Sequence, residues 1–271
     1  MKSPLVSVIV TTRNEQRNIK NCLESIKNQI YSPIQVLVVD NNSRDKTKEI
    51  AKKYTKFVYN KGPERSAQRN YGAQKAKGEF VFFIDCDMML APEVVAQCVQ
   101  TIKNGFGGLV IPEESFGEGF WSQAKALERS FYLGNDTIEA ARFFPKKVFE
   151  EVGGFDEGLT GPEDWDLSQR IAKKYKMGRI QALILHNEGT LSLSRTIQKK
   201  YYYAKKFAPY IKKSANKKNS KEQFSILGRY QVFFSQPKKL LKNPVLSCGM
   251  LFMKTSEFIA GGLGYLVSQE R

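Results

Sequence analysis

The chain has 271 residues, 41% of them hydrophobic and 12% aromatic, enough for one large α/β domain with an appended C-terminal piece. Its formal net charge of +16 calls for an anionic partner or surface, whether nucleic acid, a phosphorylated ligand or acidic lipid. The four cysteines, Cys22, Cys86, Cys98 and Cys248, have no CxxC spacing, which excludes a small disulfide scaffold and reads as buried, reduced thiols of an intracellular protein.

The opening "MKSPLVSVIVTTRNEQ" is no signal peptide, because its apolar run is short and passes into Thr-Thr-Arg-Asn rather than a small-residue cleavage site. "LVSVIV" reads as a strand. Ile19, Cys22, Leu23 and Ile26 then recur at helical spacing, and "IQVLVV" (34–39) is a second strand. A helix over about 45–54, an edge-like strand "KFVY" and a helix over about 66–77 follow. "EFVFFI" is a fourth strand, and Pro92 starts another helix. Strand–helix–strand repetition with continuously apolar strands predicts a mainly parallel sheet covered by helices on both faces. The segment 106–190 is less regular. It holds "EEVGGFDEGLTGPEDWDLSQRIAKKY", with a glycine-rich turn before a helix starting near Pro162, and "RIQALILH", read as a strand ending at His186.

Ligands of such sheets sit at the carboxyl ends of the strands. Thr11, Thr12, Arg13 and Asn14 after the first strand, Asp40 and Asn41 after the second, and Asp85 and Asp87 after the fourth should therefore face one crevice. Two acids at the lip of a core strand repel each other unless a cation or donors hold them. A hard divalent cation, Mg²⁺ or Mn²⁺, suits one or two carboxylates plus substrate phosphates. The alternative is an N-capping aspartate before the Pro92 helix with its neighbour solvated. The first glycine is Gly62, so a G-x-G-x-x-G dinucleotide loop is excluded, and no P-loop occurs.

"VSVIVTTRNEQRNI", "VLVVDNNSRDKT", "RSAQRNYGAQKAKGEFVFFIDCDMMLAP", "EEVGGFDEGL" and "EDWDLSQRI" resemble, in that order, inverting family-two glycosyltransferases of the GT-A fold. The likeness covers about 5–190 and implies a glycosyltransferase domain over 1–190, with a nucleotide half over about 1–105 and an acceptor half over about 106–190. The resemblance implies that Thr11, Arg13 and Glu15 line a nucleotide pocket, that Asp40 meets the base, and that Arg69 lies near the nucleotide with Asn70 and Gly72 shaping the adjacent turn. It implies that Asp85 approaches the ribose and Asp87 binds the Mn²⁺ or Mg²⁺ that bridges the diphosphate. Glu163 and Asp164 match an acidic pair whose second member usually serves as catalytic base, and Gly153 and Gly154 line the acceptor side. His186 is a candidate to complete the metal site, or a structural histidine. Trp165 could stack on an acceptor sugar, or pack in the core. The acids of "EDWDL" in isolation also fit a plain helix N-terminus.

After Leu191 the composition changes. From Arg195 to Lys221, lysines and arginines interleave with Tyr201, Tyr202, Tyr203, Phe207 and Tyr210 without an acid. This is either a solvated helix pair or a footprint on anionic lipid or a lipid-linked phosphate. The last apolar stretch is broken by Lys254, Glu257 and a Gly-Gly pair, which suits a helix lying in an interface or on a partner better than a membrane span. The expectation is a peripheral, monotopic enzyme on the cytoplasmic face of the membrane, with 191–271 as its membrane-associating region. It would transfer one sugar from a UDP- or GDP-sugar to a lipid-linked or glycan acceptor. Processive members usually carry several spans and a Q-x-x-R-W-like motif, and neither is present. A retaining enzyme on the same fold is the near alternative. A nucleic-acid-binding protein is the distant one, since no nucleic-acid motif accompanies the tyrosines and the strand-end acids would go unexplained.

Overall fold

The computed structural model describes residues 3–206, 210 and 225–269. They form two compact units, Met1–Pro112 with Ala140–Glu157 and Glu163–His186, and Glu113–Glu139 with Gly158–Pro162 and Asn187–Arg271.

The first unit is built on a seven-stranded sheet. In chain order its elements are β1 (Val6–Thr12), α1 (Ile19–Lys27), β2 (Ile34–Asp40), α2 (Thr47–Lys52), β3 (Val58–Asn60), α3 (Arg65–Lys75), β4 (Phe80–Asp85), β5 (Met88–Leu90), α4 (Val94–Ile102) and β6 (Gly108–Val110). Beyond the second unit's first elements, β7 (Glu113–Glu118) and α5 (Phe120–Ser130), the chain returns with β8 (Ala141–Pro145), α6 (Lys146–Glu151), α7 (Glu163–Ala172) and β9 (Met177–Arg179), and enters β10 (Ile184–Thr190). The sheet order is β3-β2-β1-β4-β8-β6-β9. β1, β2, β3 and β4 are parallel, and β8 is antiparallel to both β4 and β6.

Side chains alternate between faces along each strand, and both faces are buried here. Val8, Val10, Val38, Phe82 and Ile84 pack with Ile19, Cys22, Leu23 and Ile26 of α1 and Val94, Val95 and Cys98 of α4. Ile9, Leu37, Val39, Val81 and Phe83 pack on the other face with Ala73, Phe149, Leu167 and Ile171. That double burial is why the strands read as unbroken apolar runs. Each fully buried phenylalanine contributes about 1.5–3 kcal/mol of transfer free energy. α3 packs tightly on the sheet at Gly72, where a Cβ would stand 2.5 Å from Ile9 Cγ2. Any larger residue would have to displace the Ile9 side chain.

Several boundaries differ from expectation. The second helix starts at Thr47 rather than near 45, because Asp45 Oδ1 instead accepts the Thr47 amide at 3.1 Å. α4 starts at Val94, two residues after Pro92. "RIQALILH" is not one strand. β9 ends at Arg179, the amides of Gln181 and Ala182 both donate to Gln97 Oε1 (3.1 and 2.9 Å), and the chain turns before β10. His186 is consequently the third residue of a seven-residue strand rather than the last.

The second unit adds α8 (Leu193–Lys205), α9 (Ile226–Phe234), α10 (Pro237–Lys242) and α11 (Pro244–Gln269). Ala124, Phe131, Tyr132, Phe233, Met250 and Met253 form its core. The Gly-Gly pair does not interrupt α11, which runs unbroken. Nearby Gly264 permits close packing of α8, since a Cβ there would lie 2.5 Å from the Tyr201 carbonyl. No helix among the described residues is long and apolar enough to cross a membrane. Much of the basic 195–221 stretch, Phe207 included, falls outside the described residues. Cys22, Cys86 and Cys98 are buried and free as expected, whereas Cys248 is free but exposed, on the outer side of α11.

Candidate active site

The strand register assembles the site. Thr12 pairs with Asp40 across β1 and β2, and Thr11 with Asp85 across β1 and β4, so three strands end at one edge. The loops beyond are zipped together. Asn14, with φ of 55° in the left-handed region that asparagine tolerates, donates its amide to Ser43 Oγ at 2.7 Å and accepts the Arg44 amide at 2.8 Å. The Glu15 amide donates to Thr47 Oγ1 at 2.8 Å. Asp40 is fully buried and accepts from the Ser43 amide (2.7 Å) and hydroxyl. In this structure its oxygens thus fix the loop after β2. Arg13 is exposed. Burial pushes the Glu15 carboxyl up, and the hydrogen bond from Asn18 partly offsets this.

At the centre lies Arg69 of α3, 0% exposed. One guanidinium nitrogen is 3.0 Å from Asp85 Oδ1. The other is 2.7 Å from Asp164 Oδ1 and 3.5 Å from Glu163 Oε1. Arg65, one turn earlier, lies 3.5 Å from Asp85 and 3.6 Å from Glu163, and Arg142 on β8 lies 3.9 Å from Asp85. Thr11 Oγ1 donates to Asp85 at 2.9 Å. Burial works against the charge on Arg69, but the carboxylates of Asp164, Asp85 and Glu163 overcome it and raise its pKa. Burial likewise opposes ionisation of Asp85, yet Arg69, Arg65 and Arg142 hold it well below the usual carboxylate range. Glu163 moves the other way, raised by burial and then by the neighbouring charge of Asp164.

Asp85 and Asp87, which the sequence presents as one acidic pair, therefore have separate surroundings. Asp85 is held by arginines. Asp87 Oδ1 is buried without a hydrogen-bond partner, and Oδ2 lies 3.3 Å from His186 Nε2. The antiparallel pairing of β5 with β10 sets Met88 opposite His186, which brings the imidazole beside Asp87. A buried, unsatisfied carboxylate oxygen is costly, and a divalent cation is one group that would satisfy it. Among the described residues no set of three or more histidine, cysteine or acidic side chains gathers for a metal ion. Two protein ligands completed by phosphate oxygens and water fit a hard cation of the Mg²⁺ or Mn²⁺ kind.

Gly153 and Gly154 form a turn with φ of 81° and 65°. Asn70 of α3 clamps it, since its Oδ1 accepts the Phe155 amide and its Nδ2 donates to the Phe155 carbonyl, both at 2.9 Å. From α7, Arg170 donates to the Val152 and Gly154 carbonyls and pairs with Asp166 at 2.7 Å. A side chain at Gly154 would meet Asn70 Oδ1 at 2.8 Å. Trp165 is half-buried on α7. Asp164 keeps 25% exposure, and its Oδ2 carries no hydrogen bond to another described residue. Arg65 and Arg142 were not singled out from the sequence. The i, i+4 spacing of Arg65 and Arg69 was a usable signal, whereas Arg142 reaches Asp85 only through the pairing of β8 with β4.

The family model for "Glycosyl transferase family 2" matches residues 7–155, more than half of the chain, from the second residue of β1 through β2, β3 and β4 and on past β8. The chain belongs to this family. This glycosyltransferase is 25% identical over 264 residues to the Campylobacter jejuni GalNAc(5)-diNAcBac-PP-undecaprenol beta-1,3-glucosyltransferase, covering 89% of this chain and 84% of that one. It is 34% identical over 107 residues to the Bacillus subtilis glycosyltransferase EpsH, covering 37% of this chain and spanning only 31% of that relative's length. Among solved structures, the mannosyltransferase PcManGT from Pyrobaculum calidifontis, in complex with GDP-Man and Mn²⁺, has a TM-score of 0.67 at 18% identity, covering 98% of this chain and 88% of that one. The GT-A fold expected of the glycosyltransferase is therefore present, with the helical C-terminal region appended.

Proposed function

We propose that this glycosyltransferase transfers one sugar from a nucleoside-diphospho-sugar to a hydroxyl of a lipid-linked acceptor, with inversion, at the cytoplasmic face of a membrane. The observation that carries the reading is the double engagement of Arg69, which joins Asp85 at the donor strand ends to Asp164 at the start of α7. Thr11, Arg13, Glu15, Asp40 and Asp85 line or brace the nucleotide side. Gly153, Gly154 and Trp165 belong to the acceptor side. Arg69 holds Asp164 Oδ1, and Oδ2 is left to take the acceptor's proton. As that proton transfers, the acceptor oxygen bonds to the anomeric carbon and the bond to the departing diphosphate breaks on the opposite face. Asp87 and His186 would hold a divalent cation, which supplies Lewis-acid stabilisation of the leaving diphosphate when bound. Two similarities support the reading. A structural neighbour holds GDP-Man and Mn²⁺, and a relative covered over most of its length is named for an undecaprenol-linked acceptor.

The test is a thermal-shift screen with Mn²⁺ or Mg²⁺ against UDP, GDP, CMP and dTDP, on the parent and on Asp87→Ala. A nucleotide at a hundredfold its dissociation constant should add about 2.7 kcal/mol of stability. The expected outcome is a shift that needs metal, selects one of the nucleotides and disappears in the variant. A shift that is independent of metal, or that survives the substitution, would overturn the assignment of Asp87. The anomeric configuration of the product, read by NMR, decides inversion.

A further inference from the structure

We propose that the outer face of α11 inserts into the headgroup region of an anionic membrane, with the helix lying flat. The inference deepens the reading of a lipid-linked acceptor but stands on different residues. At about 100° per residue, Val245, Phe252, Ile259, Leu263 and Leu266 fall within an arc of about 60°. They are 72%, 59%, 62%, 55% and 61% exposed. The other exposed side chains on the flanks of this arc, Cys248 and Thr255, are uncharged.

The charges of α11 are on the opposite side. Lys254 and Glu257 are buried, with Lys254 Nζ 2.6 Å from Glu128 and 3.1 Å from Glu257, and Lys125 Nζ 2.8 Å from Glu128 and 2.9 Å from Glu257. A helix that faces water places apolar residues inward and charges outward. α11 reverses this pattern, with its ions paired inside and an uncharged apolar row outside. Of the fourteen large apolar side chains exposed among the described residues, all but Ile30 and Leu185 lie in the second unit.

Charge selects the occupant. Residues 191–271 contain sixteen lysines and arginines and three acids. Exposed Lys238 and Lys242 flank exposed Leu241 just before the row begins at Val245. A second copy of this chain would bring the same positive excess against itself. An anionic lipid surface offers an apolar interior and neutralising headgroups together. The 26-residue helix, about 39 Å long at 1.5 Å per residue, is not apolar enough to cross the bilayer and suits lying along it.

The test is co-sedimentation of the whole protein, without donor, with vesicles of phosphatidylcholine alone and with vesicles that also contain phosphatidylglycerol, whose negative surface potential attracts basic segments. It is run on the parent and on the double variant Phe252→Glu with Ile259→Glu. Both positions are exposed, and an unchanged melting temperature confirms that the variant is folded. The expected result is binding to the anionic vesicles that falls at least tenfold in the variant and weakens at high salt. Absence of parent binding, or equal binding by a folded variant, would overturn the proposal. So would light scattering that shows a parent dimer converted to monomer by the same substitutions, since a second copy would then cover the row. Nucleotide binding uses the other unit's residues, so the thermal-shift screen stands or fails separately.

Discussion

Replacing Arg69 by methionine tests the electrostatic frame of the site. Methionine retains much of the apolar length and removes a fully buried guanidinium that pairs with Asp85, Glu163 and Asp164. Taking one partner from a buried ion pair costs about 3–5 kcal/mol, because the charge left behind has lost its compensation. Asp85 and Asp164 retain 14% and 25% exposure, and Arg65 still faces Asp85 and Glu163. The loss should therefore lie near the lower end, about 3 kcal/mol. With a urea slope of about 3 kcal/mol/M, the midpoint falls by about 1 M. The chain has two tryptophans, and a Trp121→Phe background leaves Trp165, in the same unit as Arg69, as the fluorescent reporter. The pH dependence follows from the directions of the shifts. In the parent, Asp85 is held well below its unfolded value, so its stabilisation is present above about pH 4 and lost as pH falls through the lower folded pKa. Without Arg69, Asp85 keeps only Arg65 and Arg142 against its burial, and Glu163 only Arg65, so both carboxyls rise relative to the parent and protonation relieves the uncompensated charge. The deficit of the variant should be largest near neutrality and shrink as pH falls toward about 4.5. A loss under about 1 kcal/mol, or an equal loss at both pH values, would refute the claim that Arg69 compensates buried carboxylates.

Asp164→Asn should lower kcat by about 10²–10⁴-fold, the usual contribution of a general base, with donor affinity unchanged in a nucleotide titration. An equal loss in donor binding would instead assign Asp164 to the nucleotide side. Gly154→Ala forces a side chain into φ of 65° and to 2.8 Å from Asn70 Oδ1. It should cost about 1–3 kcal/mol, read as a lower melting temperature. Gly153→Ala, where nothing lies within 4 Å, should show the backbone part of that cost alone.

Much of this protein is legible in its sequence. The unbroken apolar strands, the helical spacing of Ile19, Cys22, Leu23 and Ile26, and the polar residues that follow each strand are local patterns. They suffice for a parallel sheet with the strand ends at Thr11, Asp40 and Asp85 along one edge, because backbone periodicity and the strand-end rule depend on little else. The order of the motifs was likewise enough to suggest the family. Tertiary structure decided what each acid faces. Asp85 and Asp87 are two residues apart, yet one is neutralised by arginines from α3 and β8 and the other is left beside a histidine from β10. That division depends on strand order and register, which bring residues 16 to 99 positions distant to within 4 Å. The charges of the final helix show the same limit. Lys254 and Glu257 look in the sequence like interruptions of an apolar segment that should face solvent. Folding places them inside against Lys125 and Glu128, because only a partner of opposite charge makes such burial tolerable, and it leaves the apolar residues on the outside.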